Sequence, residues 1–305
     1  LIGFAPNLWV LTLLLVPGSL GVSAFHPNSA AAVTEGQKRA NFCMSIFMVG
    51  GSAGLAISPT VISYIASRHG LPALWVLAFP GILMALALMA FIRSEKPLPP
   101  GKSESLRPQA SGAQSVNLRV LFEPGTGPIW LLWSIAFARS LAFIVFQTFI
   151  SFLGKARGWD VEQTGHALSI FLFSGTAGAL TGGYIADRMN PKAQIAWSCL
   201  LTIPFLIGFV HLQGAWALVS FGMAGFLSWI AQPVNIALAQ KYRPQSAGAV
   251  SGLMLGLAWG TAGLLMRPFG SWADLIGIEA AMAYTPAVLL AAAACALLLP
   301  NDRKR

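Results

Sequence analysis

The chain has 305 residues, of which 56% are hydrophobic and only 10% charged, and its mean hydropathy is +0.68. Soluble domains carry about 25% charged residues, so a chain this poor in charge cannot cover a water-facing surface, and an ordinary soluble enzyme is excluded. The formal net charge is +9, but its basic residues form no runs, which sets aside a nucleic-acid binder and leaves an integral membrane protein crossed many times by helix.

A hydropathy window of about 19 residues predicts nine apolar helices, at 8–31, 40–66, 72–92, 128–153, 163–185, 193–211, 215–240, 246–272 and 279–299. Each is long enough for a hydrocarbon core of about 30 Å. The runs are too long, and alternate too little, to be strands. Leu1 to Pro6 reads as the tail of an earlier helix. No charged n-region or small-residue cleavage site precedes the first apolar run, so that run is not a signal peptide. The stretch 93–127 holds Pro97, Pro99, Pro100, Gly101 and Pro108 among scattered charges, which is linker composition. It divides the chain into a partial membrane half at 1–92 and a six-span half at 128–305. Cys43, Cys199 and Cys295 lie in apolar stretches without a CxxC neighbour and read as small apolar residues, not as a disulfide or metal ligands.

Lys and Arg give the orientation. One set of loops holds Lys38, Arg39, Arg93, Lys96, Lys102, Arg107, Arg119, Arg188, Lys192, Lys241, Arg243, Arg303, Lys304 and Arg305. The opposite set holds only Arg68, Lys155 and Arg157. The positive-inside rule makes the first set, and with it the C-terminus, cytoplasmic, in a multi-pass protein of the inner (plasma) membrane.

The two parts of the chain repeat. Pro27, Gly54, Pro59, Gly70 and Pro80 are echoed by Pro233, Gly263, Pro268, Gly277 and Pro286, with offsets between 206 and 209. SAGLAISP at 52–59 parallels TAGLLMRP at 261–268. This is a parallel duplication of a six-helix unit, and its arithmetic places roughly 80 residues, about two and a half helices, upstream of Leu1. The intact protein is then expected to have twelve spans, and this chain alone is not expected to transport. A finer repeat joins GGYIADRMN at 182–190 to GSWADLIG at 270–277, with a weaker copy in SYIASRHG at 63–70. Nested inverted three-helix units require such copies on opposite sides of the membrane.

Six plus six spans with GGYIADRMNPK in a cytoplasmic loop resemble the major facilitator superfamily, whose loop pattern is close to GxxxDRxGRK. Gly183, Asp187, Arg188 and Lys192 match, while Asn190 and Pro191 stand where the pattern has Gly and Arg. FHPNSAAAV at 25–33, MVGGSAGLAISP at 48–59, SGLMLGLAWGTAGL at 251–264 and LLLPNDRKR at 297–305 are similar to the fosmidomycin resistance family within it. That likeness extends over essentially the whole chain and implies drug efflux by proton antiport, with the spans 8–31, 128–153 and 215–240 lining a central cavity. Asn28 stands where a Glu is expected after His-Pro.

Arg139 is the sharpest single feature, about eleven residues into its span and too deep to snorkel. A central Arg costs about 2.5–3.5 kcal/mol on insertion scales, which a wet cavity or a bound anion offsets. The competing reading is an Arg held by backbone carbonyls. Phe143, Phe146 and Gln147 follow one to two turns on and extend the pocket or simply pack. Trp229, Gln232 and Asn235 recur at helical spacing around Pro233, and read as a solute site or as interhelical hydrogen bonding. His26 is a candidate for coupling because histidine titrates in the physiological range, and Arg267 for gating. Asp187, Arg188, Lys192 and Gly183 form the candidate gate loop. No Asp or Glu lies deep in any predicted span, so either the coupling acid lies upstream of Leu1, as the resemblance implies, or His26 replaces it, or the driving force is not protons. Small residues at every fourth position, Gly50–Gly54, Gly178–Gly182 and Gly252–Gly256–Gly260, let helices touch and, by the resemblance, mark the surface between the two halves.

The chain therefore reads as an all-α secondary transporter of the major facilitator type, working as a monomer in the lipid bilayer on a small molecule and protons. A membrane enzyme is not expected, because Ser-His-Asp spacing, HExxH motifs, Walker loops and clustered carboxylates are missing, and no cofactor or metal is expected. The alternatives are an uptake symporter of a small organic anion on the same fold and a non-transporting membrane sensor.

Overall fold

An apolar segment in hydrocarbon has no water to satisfy its peptide groups, so it closes its own hydrogen bonds as helix. The computed structural model describes residues 2–34, 40–91, 125–186 and 188–300; among these, the side chains at 23–24, 26–28, 30–34, 40–45, 48, 91, 245 and 247 are not described. The described residues contain no strand. In chain order the helices are α1 (Leu8–Thr34), α2 (Ala40–His69), α3 (Ala78–Phe91), α4 (Gly127–Ala156), α5 (Val161–Ala186), α6 (Pro191–His211), α7 (Gly214–Ile230), α8 (Gln232–Tyr242), α9 (Ala247–Gly252), α10 (Ala258–Leu264), α11 (Met266–Ile276), α12 (Ile278–Tyr284) and α13 (Val288–Leu298). Eight stretches among the described residues are long and apolar enough to cross a membrane, where the sequence predicts nine; the first, Leu8–Val22 in α1, is shorter. The predicted linker lies outside the described residues as far as residue 124.

Several predicted spans are segmented. The span 72–92 opens as a 3-10 helix, Leu71–Leu77. The span 215–240 is broken between α7 and α8. The span 246–272 is α9, a π-helical stretch at Leu253–Leu257, α10 and α11. Pro233 and Pro268 each follow one of these breaks, as expected of a residue without an N–H.

The chain forms two compact units, residues 1–51 with 61–113 and residues 52–60 with 114–305. In the first unit the 3-10 turn Ile2–Phe4 packs on Leu71–Leu77 so closely that a Cβ on Gly3 would fall on the Leu71 carbonyl. Its helices leave most large apolar side chains exposed, Trp9 at 81% and Met89 at 80%, a surface suited to lipid tails.

The second unit holds six spans whose packing has an exchange symmetry. Call α4, α5 and α6 the first triplet, and α7–α8, α9–α11 and α12–α13 the three spans of the second. The main contacts are α5 with α7, α6 with α7, α13 with α4, α13 with α6, and α10 with α4. Swapping the triplets turns α5–α7 into α10–α4 and α6–α7 into α13–α4, and maps α6–α13 onto itself. The set of neighbours is unchanged, as two nested inverted repeats require.

The closest of these contacts is backbone on backbone. Gly178 and Gly182 of α5 lie against the carbonyls of Phe226 and Ile230 in α7, and Gly225 of α7 lies against the Phe171 carbonyl of α5. Any Cβ there would collide. This places the Gly178–Gly182 stripe inside one six-helix unit, whereas the sequence reading assigned it to the surface between halves; a stripe of small residues reports a close neighbour without saying which. At Gly50, Gly54, Gly252, Gly256 and Gly260 a Cβ would meet nothing within 4 Å. Thr60, whose stretch 52–60 belongs to the second unit, donates from its amide and hydroxyl to Ser169 Oγ of α5 at 3.1 and 2.9 Å. A column of stacked rings fills the core between α5, α6 and α7: Phe171 on Phe221 at 4.3 Å and Phe221 on Phe209 at 3.9 Å.

Arg157, just past α4, ties the far end of the unit together. It donates to the carbonyls of Phe209, at 3.0 Å, and Val210 in the last turn of α6, where a cation complements the helix dipole, and lies 3.6 Å from Glu279 of α12.

Leucine at Gly178 must push α5 from α7. Gly178→Leu is expected to lower stability by about 1–3 kcal/mol, whereas Gly183→Ala, where a Cβ meets open space, is expected to raise it by about 0.5–1 kcal/mol. Thermal unfolding in detergent reads both, and equal Tm values would refute the assigned contact.

Candidate functional site

Arg139 sits near the middle of α4, about 18 Å from Gly127 and about 26 Å from Ala156 at 1.5 Å per residue. It is 8% exposed. What it meets follows from the break beside it. Pro233 has no N–H to continue the helix, so α7 ends at Ile230 and the amide of Ala231 folds back onto the Trp229 carbonyl. The carbonyls of the last turn then need donors that a hydrocarbon interior cannot supply. Two side chains from other helices provide them. Arg139 donates to the Ser228 carbonyl. Gln194 of α6 donates through Nε2 to Ile230 at 3.3 Å and to Gly182 of α5 at 2.8 Å. The second guanidinium nitrogen of Arg139 donates across the break to Gln232 Oε1, 3.3 Å away, at the start of α8. No carboxylate among the described residues pairs with Arg139.

Three rings share the cavity with this cation. Phe143 meets Trp229 and Trp259 edge-on, each at 5.4 Å, and stacks on Phe171 at 5.2 Å; Trp229 and Trp259 lie 6.4 Å apart. Gly175 of α5 makes room for Trp229, whose ring lies 2.8 Å from where a Cβ would be. The rings, Arg139, Ser140, Ser228 and Gln232 line a small, partly open cavity. The space left for the centre of a water molecule is about 10 Å³, room for one water. Around one positive charge the walls are neutral and largely aromatic, a setting that would hold an anion with a flat apolar body.

The structure brings Arg139, Phe143, Trp229 and Gln232 to one cavity, and does not bring Gln147 or Asn235 there. Eight residues along a helix is about 80° off its starting face, which turns Gln147 aside. Asn235 is 1% exposed and holds α8 to its neighbours, donating to the Leu132 carbonyl at 3.2 Å and to Met254 Sδ at 3.8 Å. Phe146 belongs to the ring column, 6.2 Å from both Phe209 and Phe221. Ser140, Ser228 and Trp259 join the cavity although the sequence reading did not select them; the one signal was a lone Trp among the small residues of AWG at 258–260.

The gate-loop residues are spread. Lys192 Nζ donates to the Leu299 carbonyl beyond α13 at 2.8 Å, and the Arg188 guanidinium lies 4.4 Å over the Tyr184 ring. Gly183 faces open space, and Asp187 lies outside the described residues. Asn190 and Pro191, the departures from the superfamily pattern, start α6: the Asn190 side chain accepts from the Lys192 amide at 3.0 Å and Pro191 takes the first turn, a favoured N-cap and first-turn pair. Arg267 is exposed in the first turn of α11. His26 lies in α1, and its side chain is outside the described set. Cys199 is buried and Cys295 half-buried, both as free thiols; the side chain of Cys43 is not described.

The Major Facilitator Superfamily pattern matches residues 1–266, and the chain belongs to that superfamily, whose members are multi-pass membrane transporters. It is 25% identical to an uncharacterized MFS-type transporter, YfnC, of Bacillus subtilis, over 99% of this chain and 74% of that protein. It is 27% identical to the fosmidomycin resistance protein of Escherichia coli, over 91% and 70%. It is 24% identical to the multidrug resistance protein MdtG of Proteus mirabilis, over 78% and 57%.

Loss of the Gln194 donor leaves the Ile230 and Gly182 carbonyls without it. Gln194→Leu is expected to cost about 1 kcal/mol. Ser198→Ala, which removes a buried hydroxyl that bonds to neither carbonyl, should change stability by less than about 0.5 kcal/mol. Equal Tm losses for the two variants would contradict this assignment.

Proposed function

We propose that the protein is a secondary active transporter that exports a small organic anion from the cytoplasm by alternating access, in exchange for protons. The carrying observation is Arg139: a buried guanidinium without a carboxylate partner among the described residues, facing a cavity walled by Phe143, Trp229 and Trp259. A buried cation beside neutral walls attracts one negative charge, and the rings supply apolar surface for the rest of the solute. Export rather than uptake is favoured by the fosmidomycin and multidrug resistance proteins among its relatives. The plasma (inner) membrane and a cytoplasmic C-terminus are favoured by the bias of Lys and Arg toward one set of loops. For proton coupling, His26 is the candidate that this chain offers, because histidine changes charge near neutral pH.

The test is export from preloaded cells that express the whole protein. With fosmidomycin as the probe anion, Arg139→Ala is expected to reduce efflux at least about tenfold, the loss of a charge-assisted contact, with the variant still present in the membrane fraction. Arg139→Lys should also fail to restore parental efflux, since an ammonium lacks the fork that holds two partners. Parental efflux by Arg139→Ala would refute the role. Arg139-dependent accumulation instead of efflux would indicate an uptake symporter working through the same cavity.

A further inference from the structure

Arg139 does more than face the cavity. It touches both sides of the break in its neighbouring span, the last turn of α7 through the Ser228 carbonyl and the first residue of α8 through Gln232. We propose that this pair of contacts is a latch across the break, opened by the anion that Arg139 binds, and that the anion is a small aromatic monoanion. The proposal rests on the reading of the cavity as an organic-anion site.

The cavity has room for one water, so nothing larger enters until a wall moves. The walls differ in freedom. α4 is a continuous helix of 30 residues. α7 is locked on α5 by glycine against backbone, and its Phe221 lies in the ring column. Trp229 is packed over Gly175. α8 is different: it has 11 residues, and it is separated from α7 at Ala231. Farther along α8, Asn235 bonds to the Leu132 carbonyl and Met254, and Gln240 bonds to Ser251 Oγ at 2.8 Å. Those are bonds between neutral groups. The Arg139–Gln232 bond is charge-assisted, and such bonds are roughly twice as strong.

A carboxylate is a better partner for a guanidinium than a neutral amide oxygen, because it accepts two parallel bonds and carries the opposite charge. A carboxylate that enters during a transient opening of α8 therefore takes the place of Gln232 Oε1 and holds the open state. Ser228 keeps its place, since its carbonyl belongs to the immobile α7. With Gln232 released, α8 swings about Ala231 and the ring cage opens on the side of α8 to receive the flat body of the solute. Binding energy spent at Arg139 thus becomes movement of one half-span, which is the differential interaction that a ligand needs to shift a conformational equilibrium.

The test follows Ala239, fully buried on α8. In the whole protein with Cys43, Cys199 and Cys295 changed to Ala, Ala239→Cys is labelled with a maleimide in detergent, and radiolabelled benzoate binding is measured on the same samples. Benzoate should bind and speed labelling about tenfold, the signature of a tenfold larger open population. Gln232→Leu, which removes the latch acceptor, should label fast without benzoate and respond little to it. Gln232→Glu, which makes an ion pair with Arg139, should label slowly and bind benzoate poorly. Misfolding cannot give two variants opposite signs. Benzoate binding with one labelling rate in all three proteins would overturn the latch and leave the anion site standing. No benzoate binding by the parent would overturn the ligand class. The export reading fails separately, in the efflux assay on Arg139→Ala.

Discussion

Hydrocarbon offers a carbonyl no partner, and the second unit is arranged around a span that cannot avoid exposing some. Pro233 ends α7, and its last turn needs donors at a depth where water is scarce. Arg139 and Gln194 supply them from α4 and α6. In this setting the buried charge and the broken helix are a single feature. The break makes Arg139 tolerable because its C-terminal dipole favours a cation. Arg139 makes the break tolerable because it satisfies the Ser228 carbonyl.

Such a match holds only if helices approach closely and in fixed register. The glycines of α5 and α7 allow backbone contact beside the break, since Gly182 rests on the Ile230 carbonyl itself. Gln194 reaches the same place, bonding to Gly182 and Ile230 together. Three helices thus converge on one peptide group, and the ring column of Phe171, Phe221 and Phe209 carries that register along the unit. The cavity, its cation and its rings inherit their geometry from this packing.

Hydropathy alone placed the spans within a few residues of where they lie, because burial in hydrocarbon is a property of composition. Arg139 was equally legible, since one charge in the middle of an apolar run has few explanations. Its two readings, a carbonyl-bound Arg and a cavity Arg, turn out to be compatible: the same side chain caps Ser228 and lines the cavity. The partner was hidden because a main-chain carbonyl leaves no mark on residue type. Gln147 was grouped with Arg139 by proximity along the chain, which helical rotation undoes. The stripe at Gly178 and Gly182 announced a close approach but not its neighbour. Ser140 and Ser228, small and unremarkable in sequence, line the cavity only because of how α4 and α7 cross. Asn190 and Pro191 looked like losses from a loop pattern and are a helix start.

The exchange symmetry of the second unit has a bearing on how the chain is made. Because α5 is completed by α7 and α4 by α10 and α13, the two triplets interlock instead of standing side by side. A ribosome delivers α4, α5 and α6 first. Those helices enter the bilayer with the glycine face of α5 bare and with Arg139 lacking the carbonyl that will hold it. The first triplet must wait, partly assembled, for α7 to arrive and close both gaps at once.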